Sequence, residues 1–155
     1  MAISPYLAAL RAKVGNDLLV LPSVAVVPID GEGRVLLVQN ADTHGWQTLG
    51  GAVEPDEAPR DAAVREAYEE ASVEVELVRL LDVLGGPQYR VAYPNGDTVS
   101  YVTTVFEARV VAGTPTADGD ETSDAAWFGR DDLAGLPVSG FTRALIATLP
   151  DGLLR

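Results

Sequence analysis

The sequence contains no cysteine, which excludes disulfides and thiolate metal sites. It also lacks any apolar run long enough to span a bilayer. Residues 1–14 have no basic region ahead of an apolar run, so they do not read as a secretory signal peptide. From these absences we expect a cytoplasmic protein without a membrane partner.

Positive charge is scarce, since 11 Lys and Arg residues oppose 23 Asp and Glu residues and leave a formal net charge of −12. A surface this acidic repels nucleic-acid backbones and anionic membranes. We therefore expect no nucleic-acid partner. A small phosphate substrate would also be repelled, unless a cation lay between it and the protein.

The residues that are present fit a single domain over 1–155. This length allows one core, and 47% hydrophobic and 22% charged residues are ordinary for a soluble globular protein. No repeat or long linker divides the chain. An N-terminal helix is predicted over residues 4–14, because Ser4 can cap it, Pro5 suits its first position and Gly15 suits its exit.

Strands are predicted where β-branched and apolar residues accumulate, at residues 18–29, 34–39, 75–83, 88–92, 98–111 and 124–128. Turn residues occupy 30–33 and 94–97. Helices are predicted over 61–71 and 141–149, the second capped by Ser139. Because strands outnumber helices and one helix lies between strands, we expect an α/β fold with a mixed sheet covered by helices on both faces.

The predicted helix over 61–71 carries the most informative pattern. Its helical wheel groups an apolar face that could pack on a sheet, formed by Val64, Ala67, Tyr68 and Ala71. Three carboxylates point the other way, on the side where Ala62 and Ala63 leave space, and these are Glu66, Glu69 and Glu70. Arg65 lies one turn before Glu69 and can hold its carboxylate.

Like charges so close together repel, at a cost of roughly 0.2–0.5 kcal/mol for each pair. A divalent cation removes this cost, binds oxygen ligands and shields a phosphate from the acidic surface. It also polarises phosphoryl oxygens and acidifies water, as pyrophosphate hydrolysis requires. The alternative is an ordinary solvated face, which is the usual state of a glutamate-rich helix.

The wider spacing argues against an ordinary face. Six residues follow the pattern G-x5-E-x7-R-E-x2-E-E, and they are Gly51, Glu57, Arg65, Glu66, Glu69 and Glu70. Six such matches have a chance probability on the order of 10⁻⁷, taking each residue type at roughly 7% of a chain. This segment resembles the signature of the Nudix hydrolase superfamily, which Ala67 and Val73 also match. Ser72 departs from it, because the family has a glycine that ends the helix in a left-handed conformation.

The resemblance implies a Nudix-type α/β/α sandwich, here with an extra N-terminal helix. It implies Mg²⁺ or Mn²⁺ held by Glu66, Glu69 and Glu70 with the Gly51 carbonyl. Arg65 would orient these groups, and Glu57 would support them.

The implied reaction is hydrolysis of a phosphoanhydride bond in a small-molecule nucleotide, a nucleoside diphosphate linked to another group. ADP-ribose or another nucleotide sugar is the first expectation, and a nucleoside triphosphate the second. The general base is left open between Glu66, which lies on the carboxylate face, and Glu121, which matches the later loop that supplies the base in many relatives. The alternative for Glu121 is a solvated turn.

Substrate contacts are predicted at Trp46, Tyr89 and His44. A base needs an aromatic platform, worth roughly 1–3 kcal/mol for each stacked base. Core packing is the competing interpretation for the two aromatic residues, and plain surface for the histidine.

Two other classes compete with the hydrolase. One is a Nudix-fold module that binds a nucleotide without cleaving it. The other is a carboxylate-rich calcium-binding domain, which lacks the loop pattern of a calcium hand. A homodimer is left open by analogy with the superfamily, with the N-terminal helix as an interface candidate.

Overall fold

The structure, a computed structural model, describes residues 3–155, so residues 1 and 2 of the predicted domain lie outside the described residues. The helices are α1 (Pro5–Val14), α2 (Pro59–Ala71), α3 (Arg130–Leu133) and α4 (Gly140–Ile146), with a 3₁₀ turn over Pro87–Tyr89. The strands are β1 (Leu19–Pro28), β2 (Val35–Asn40), β3 (Trp46–Gln47), β4 (Leu49–Ala52), β5 (Glu74–Leu84), β6 (Arg90–Ala92), β7 (Thr98–Ala112) and β8 (Thr122–Phe128).

The strands form two sheets within residues 3–155. The larger sheet is mixed and has the order β4-β1-β7-β5, with β6 also paired to β7. Its central pair, β1 and β7, is parallel, and its other pairings are antiparallel. The smaller sheet is antiparallel and has the order β3-β2-β8. The predicted mixed sheet is therefore confirmed, and a second sheet packs beside it.

Side-chain alternation along β1 divides the core between two faces. Val24 and Val26 join a cluster that contains the alanines of α2. Ala25 and Val27 join the opposite cluster, which contains Leu145 of α4. Strand residues alternate between faces, so the larger sheet has one helix on each side. This arrangement confirms the predicted α/β/α sandwich.

The predicted N-terminal helix is also confirmed. The Ser4 hydroxyl accepts a hydrogen bond from the Leu7 N–H at 3.2 Å, and Gly15 ends the helix at φ 62°. Arg11 then fastens α1 to the body of the protein, because its guanidinium donates to the Asp17 and Thr98 carbonyls at 2.6 and 3.0 Å. Within residues 3–155, no helix combines the length and apolarity needed to cross a bilayer.

The predicted packing face of α2 is wrong in part. Val64 and Tyr68 are 41% and 61% exposed, although both were expected to face the sheet. The buried positions of α2 are Ala62, Ala63, Ala67, Glu70 and Ala71. The physical reason is size, because small side chains let the helix approach the sheet closely and a valine or tyrosine would hold it away.

Candidate active site

Arg65 is the centre of an ion-pair network at the start of the site. Its Nε and Nη2 donate to the two carboxylate oxygens of Glu57 at 2.7 and 3.0 Å. Its Nη1 donates to Glu66 Oε1 at 2.9 Å and to Glu69 Oε2 at 3.0 Å. The hydrogen bonds from Arg65 hold the pKa of Glu57 below its usual value. The structure therefore brings Arg65 together with Glu69, as the i, i+4 spacing predicted, and with Glu57 and Glu66, which the resemblance placed in the same site.

Gly51 leaves the space that the Glu66 carboxylate occupies. A Cβ built at position 51 would overlap the carboxylate of Glu66. Only 12% of the Glu66 side chain is exposed, so the group lies in the crevice between α2 and β4. Burial raises the pKa of Glu66; Arg65 opposes this shift, and the charges of Glu69 and Glu121 add to it. A negative group in this position favours a positive partner.

Glu70 is buried deeper, beneath β4. Its Oε2 accepts a hydrogen bond from the Gly50 N–H at 2.9 Å, and the residue is only 5% exposed. Gly50 has φ 149°, and a Cβ there would overlap the Val24 carbonyl, so no other residue fits this close approach. Burial raises the pKa of Glu70 well above its usual value, and the charges of Glu66 and Glu121 raise it further.

Residues 118–121 form the loop ahead of β8 that carries Glu121. The Thr122 hydroxyl donates to the Glu70 carbonyl at 2.9 Å, so the loop lies against the C-terminal end of α2. The charge of Glu121 contributes to the raised pKa of both Glu66 and Glu70. Burial raises the pKa of Glu121, and the nearby Asp118 adds to the effect. Sequence reasoning identified this loop, and the structure brings it to the glutamates of α2.

The carboxylates are not preassembled around one point. Across residues 3–155, no three acidic or histidine side chains already form a group that could hold a metal ion. Arg65 contacts only one oxygen of Glu66 and one of Glu69, and Gly50 contacts one oxygen of Glu70. The chemistry of these carboxylate oxygens nevertheless fits a divalent cation, which prefers oxygen ligands of this kind.

Comparison with known proteins places the chain in a family. The sequence profile of the NUDIX domain matches residues 20–149. The chain belongs to the NUDIX family.

Among its relatives, this NUDIX chain is similar to a MutT-like protein of Streptomyces ambofaciens, with 30% identity over 72% of this chain and 66% of the relative. It is also similar to human diphosphoinositol polyphosphate phosphohydrolase 3-alpha, with 46% identity over 49% of this chain and 44% of the relative. The chain thus matches less than two thirds of the length of these curated relatives.

A solved structure supports the fold of this NUDIX chain. The crystal structure of a MutT NUDIX hydrolase from Burkholderia pseudomallei has a TM-score of 0.71 and 25% sequence identity. The match covers 85% of this chain and 99% of that one. The overall arrangement of the two sheets and their helices is therefore one that a solved NUDIX protein shares.

Two of the three predicted substrate contacts, Trp46 and Tyr89, are buried aromatic side chains. Trp46 is 8% exposed and packs edge-on against Phe128, with ring centroids 4.7 Å apart. Tyr89 is 2% exposed and packs edge-on against Phe141 at 5.3 Å. Both contacts are core packing, so neither ring presents a free face for a base. His44 is exposed in the loop after β2 with φ 57°, and its contact with substrate stays a prediction.

Two residues of the site were missed by sequence reasoning, Gly50 and Thr122. Gly50 donates to Glu70, and the double glycine was the available signal for it. Thr122 is fully buried, and its hydroxyl donates to the Glu70 carbonyl at 2.9 Å. Nothing in the local sequence marks this threonine, because its partner lies 52 residues away.

Proposed function

We propose that this NUDIX chain is a pyrophosphohydrolase that cleaves a phosphoanhydride bond in a nucleoside diphosphate linked to another group, using Mg²⁺ or Mn²⁺. The whole of residues 1–155 would form one catalytic domain. The observation that carries the proposal is the position of Glu66 and Glu70 against Gly51 and Gly50 of β4, with Arg65 holding Glu57, Glu66 and Glu69.

The proposed ion is held by oxygens of Glu66, Glu69 and Glu70 together with the Gly51 carbonyl. When bound, it supplies Lewis acidity toward a phosphate oxygen and lowers the pKa of water. The electrostatics of the chain favour such a partner, because burial and mutual repulsion raise the pKa of Glu66 and Glu70. A cation reverses that repulsion and lets a phosphate approach an acidic site.

The residues of the chain then have separate tasks. Arg65 fixes the carboxylates of Glu57, Glu66 and Glu69 through charge-assisted hydrogen bonds, which limits their motion. The Gly50 N–H holds one oxygen of Glu70. A carboxylate positioned within reach of water can take a proton from it, so Glu121 or Glu66 is the proposed general base.

The substrate class is proposed from the sequence resemblance alone. ADP-ribose or another nucleotide sugar is the first compound to test, and nucleoside triphosphates the second. The name of the human relative adds diphosphoinositol polyphosphates as a third. All three contain a phosphoanhydride bond, so the proposed site chemistry applies to each of them.

The test is incubation of the protein with Mg²⁺ or Mn²⁺ and this substrate panel, followed by an assay of phosphate after phosphatase treatment. The wild type should cleave at least one compound, chelation by EDTA should stop it, and the double variant Glu69→Gln/Glu70→Gln should be inactive. Retained hydrolysis in the double variant would remove the proposed site. Nucleotide binding without cleavage of any compound would favour the alternative, a Nudix-fold binding module.

A further inference from the structure

Thr122 connects the loop of Glu121 to the end of α2. Its side chain is fully buried, with the hydroxyl donating to the Glu70 carbonyl at 2.9 Å. The same hydroxyl accepts a hydrogen bond from the Asp118 N–H at 3.1 Å. The buried hydroxyl of Thr122, the first residue of β8, thus joins Asp118 at the start of the loop to the helix that carries Glu66 and Glu70.

A second connection lies next to the first. The Thr116 N–H donates to the Ala71 carbonyl at 2.9 Å. The carbonyls of Glu70 and Ala71 belong to the last turn of α2, where a helix leaves its carbonyls without partners inside the helix. The segment over 116–122 therefore caps the C-terminal end of α2 and cannot shift along it without losing two hydrogen bonds.

Asp118 makes the loop rigid from within. Its Oδ1 accepts hydrogen bonds from the N–H groups of Asp120, Glu121 and Thr122 at 2.8, 3.0 and 2.9 Å. Although burial acts to raise it, these bonds hold the pKa of Asp118 below its usual value. The Glu121 backbone is thereby fixed on both sides, since its carbonyl also accepts from the Ala41 N–H at 2.9 Å.

We infer that Thr122 is a positioning residue, whose hydroxyl bond to the Glu70 carbonyl holds Glu121 beside Glu66 and Glu70. The inference rests on the proposed function, because it gives Glu121 a task at that site. The backbone of Glu121 is held by its N–H bond to Asp118 Oδ1 and by its carbonyl bond to the Ala41 N–H, and the bond from Thr122 to the Glu70 carbonyl ties this segment to α2.

The test compares Thr122→Val, which keeps the shape and removes the hydroxyl, with Thr122→Ser, which keeps the hydroxyl. Thr103→Val is the matched control. Thr103 is also fully buried, and its hydroxyl bonds to Ser23 at 2.7 Å. It lies two residues before Val105 on β7, on the face of the sheet away from α2. Both valine variants lose a buried hydroxyl and its hydrogen bonding, which for Thr122 includes the bonds to the Glu70 carbonyl and the Asp118 N–H and for Thr103 the bond to Ser23. Only Thr122→Val loosens the loop.

Two readouts decide the outcome. Thr122→Val should lower kcat about 10-fold to 100-fold with little change in KM, and it should weaken Mn²⁺ affinity about 10-fold in calorimetry without substrate. Thr122→Ser should restore most of both. Thr103→Val should lower the urea midpoint of unfolding and leave kcat and Mn²⁺ affinity unchanged.

A double-mutant cycle with Glu121→Gln separates positioning from general destabilisation. If Thr122 acts through Glu121, adding Thr122→Val to Glu121→Gln should change neither kcat nor Mn²⁺ affinity further. Additive losses would overturn the inference, and so would wild-type Mn²⁺ affinity in both Thr122→Val and Glu121→Gln. A wild-type protein that binds Mn²⁺ and cleaves nothing would refute the proposed hydrolase, while the Mn²⁺ cycle would still decide the role of Thr122.

Discussion

The two faces of α2 differ in a way that composition alone does not suggest. The inner face buries four alanines and Glu70, and it keeps Glu66 in the crevice beside Gly51. The outer face exposes Val64 and Tyr68, the larger apolar residues. Two carboxylates are thus on the side of the core, and two apolar side chains are in solvent.

The contrast between the two faces shows that side-chain volume determines which face of α2 packs against the sheet. Alanine and glycine allow the helix to lie close to β4, and only at that short separation can the Glu70 carboxylate reach the Gly50 N–H. The burial of charge on this face is costly, and hydrogen bonds and an ionic partner offset it. Substitutions on one face at a time separate the effects of the two faces.

Glu66→Gln changes the carboxylate of the inner face that lies in the crevice beside Gly51. We expect kcat/KM to fall about 10²-fold to 10⁴-fold, the usual range for loss of a catalytic acid or base. The measurement is steady-state hydrolysis with saturating Mg²⁺. Glu76→Gln is the control, because Glu76 is an exposed glutamate of β5 paired with Arg109 at 2.7 Å. Equal losses in the two variants would contradict a special role for the inner face.

Arg65→Lys keeps the charge at the edge of that face and removes the planar fork. Lysine cannot bond both oxygens of Glu57 while also reaching Glu66, so the carboxylates should lose their fixed orientation. We expect activity to fall about 10-fold to 100-fold. Arg79→Lys provides the comparison, since Arg79 is 54% exposed and forms an ion pair with Glu107. If both variants keep full activity, the arginine network is only structural.

Ala67→Leu enlarges the inner face at a residue with no exposed surface. We expect the free energy of unfolding to fall by about 1–3 kcal/mol, because the added atoms push α2 away from the sheet. Tyr68→Ala on the outer face should change it by less than about 0.5 kcal/mol. Urea denaturation of both variants measures the difference. A larger loss for Tyr68→Ala would reverse the assignment of the two faces.

Ser72→Gly changes the residue at the C-terminal end of α2. Ser72 adopts the left-handed conformation, with φ 56° and ψ 31°, and its N–H donates to the Tyr68 carbonyl at 2.9 Å. Glycine has no Cβ to strain this conformation, so we expect a gain in unfolding free energy of about 1 kcal/mol. Ser72→Ala keeps the strain and should bring no gain. Calorimetric melting of the three proteins checks this, and equal midpoints would show that the serine is not strained.

The sequence predicts most of the fold because its signals are local. Ser4, Pro5 and Gly15 mark α1. Serine in place of the family's glycine put the left-handed helix exit in question, and the structure keeps that exit at Ser72. The buried face of α2 could not be predicted in the same way. Helical periodicity puts the more hydrophobic Val64 and Tyr68 on the predicted packing face. The distance between α2 and β4 is instead set by the glycines of β4, which lie outside the helix sequence.

In the candidate site, too, contacts between neighbours in sequence are easier to predict than contacts between distant residues. The i, i+4 spacing of Arg65 and Glu69 was sufficient to predict their ion pair, whereas the places of Glu57 and Glu66 beside Arg65 were implied by the family resemblance. Burial of Trp46 and Tyr89 depends on Phe128 and Phe141, which follow much later in the chain. The bond from Thr122 to Glu70 likewise has no local signature.

The parallel pairing of β1 with β7 has a consequence for how the protein is made. The pairing runs from Leu19 against Val99 to Pro28 against Ala108, and its contacts join residues 80 positions apart. Contacts of this separation close a long loop and form slowly. On the ribosome, the helix of glutamates is synthesised well before the strand that completes the central sheet, and the anchor at Thr122 emerges later still. A truncated or stalled chain therefore has every carboxylate of α2 and no assembled site.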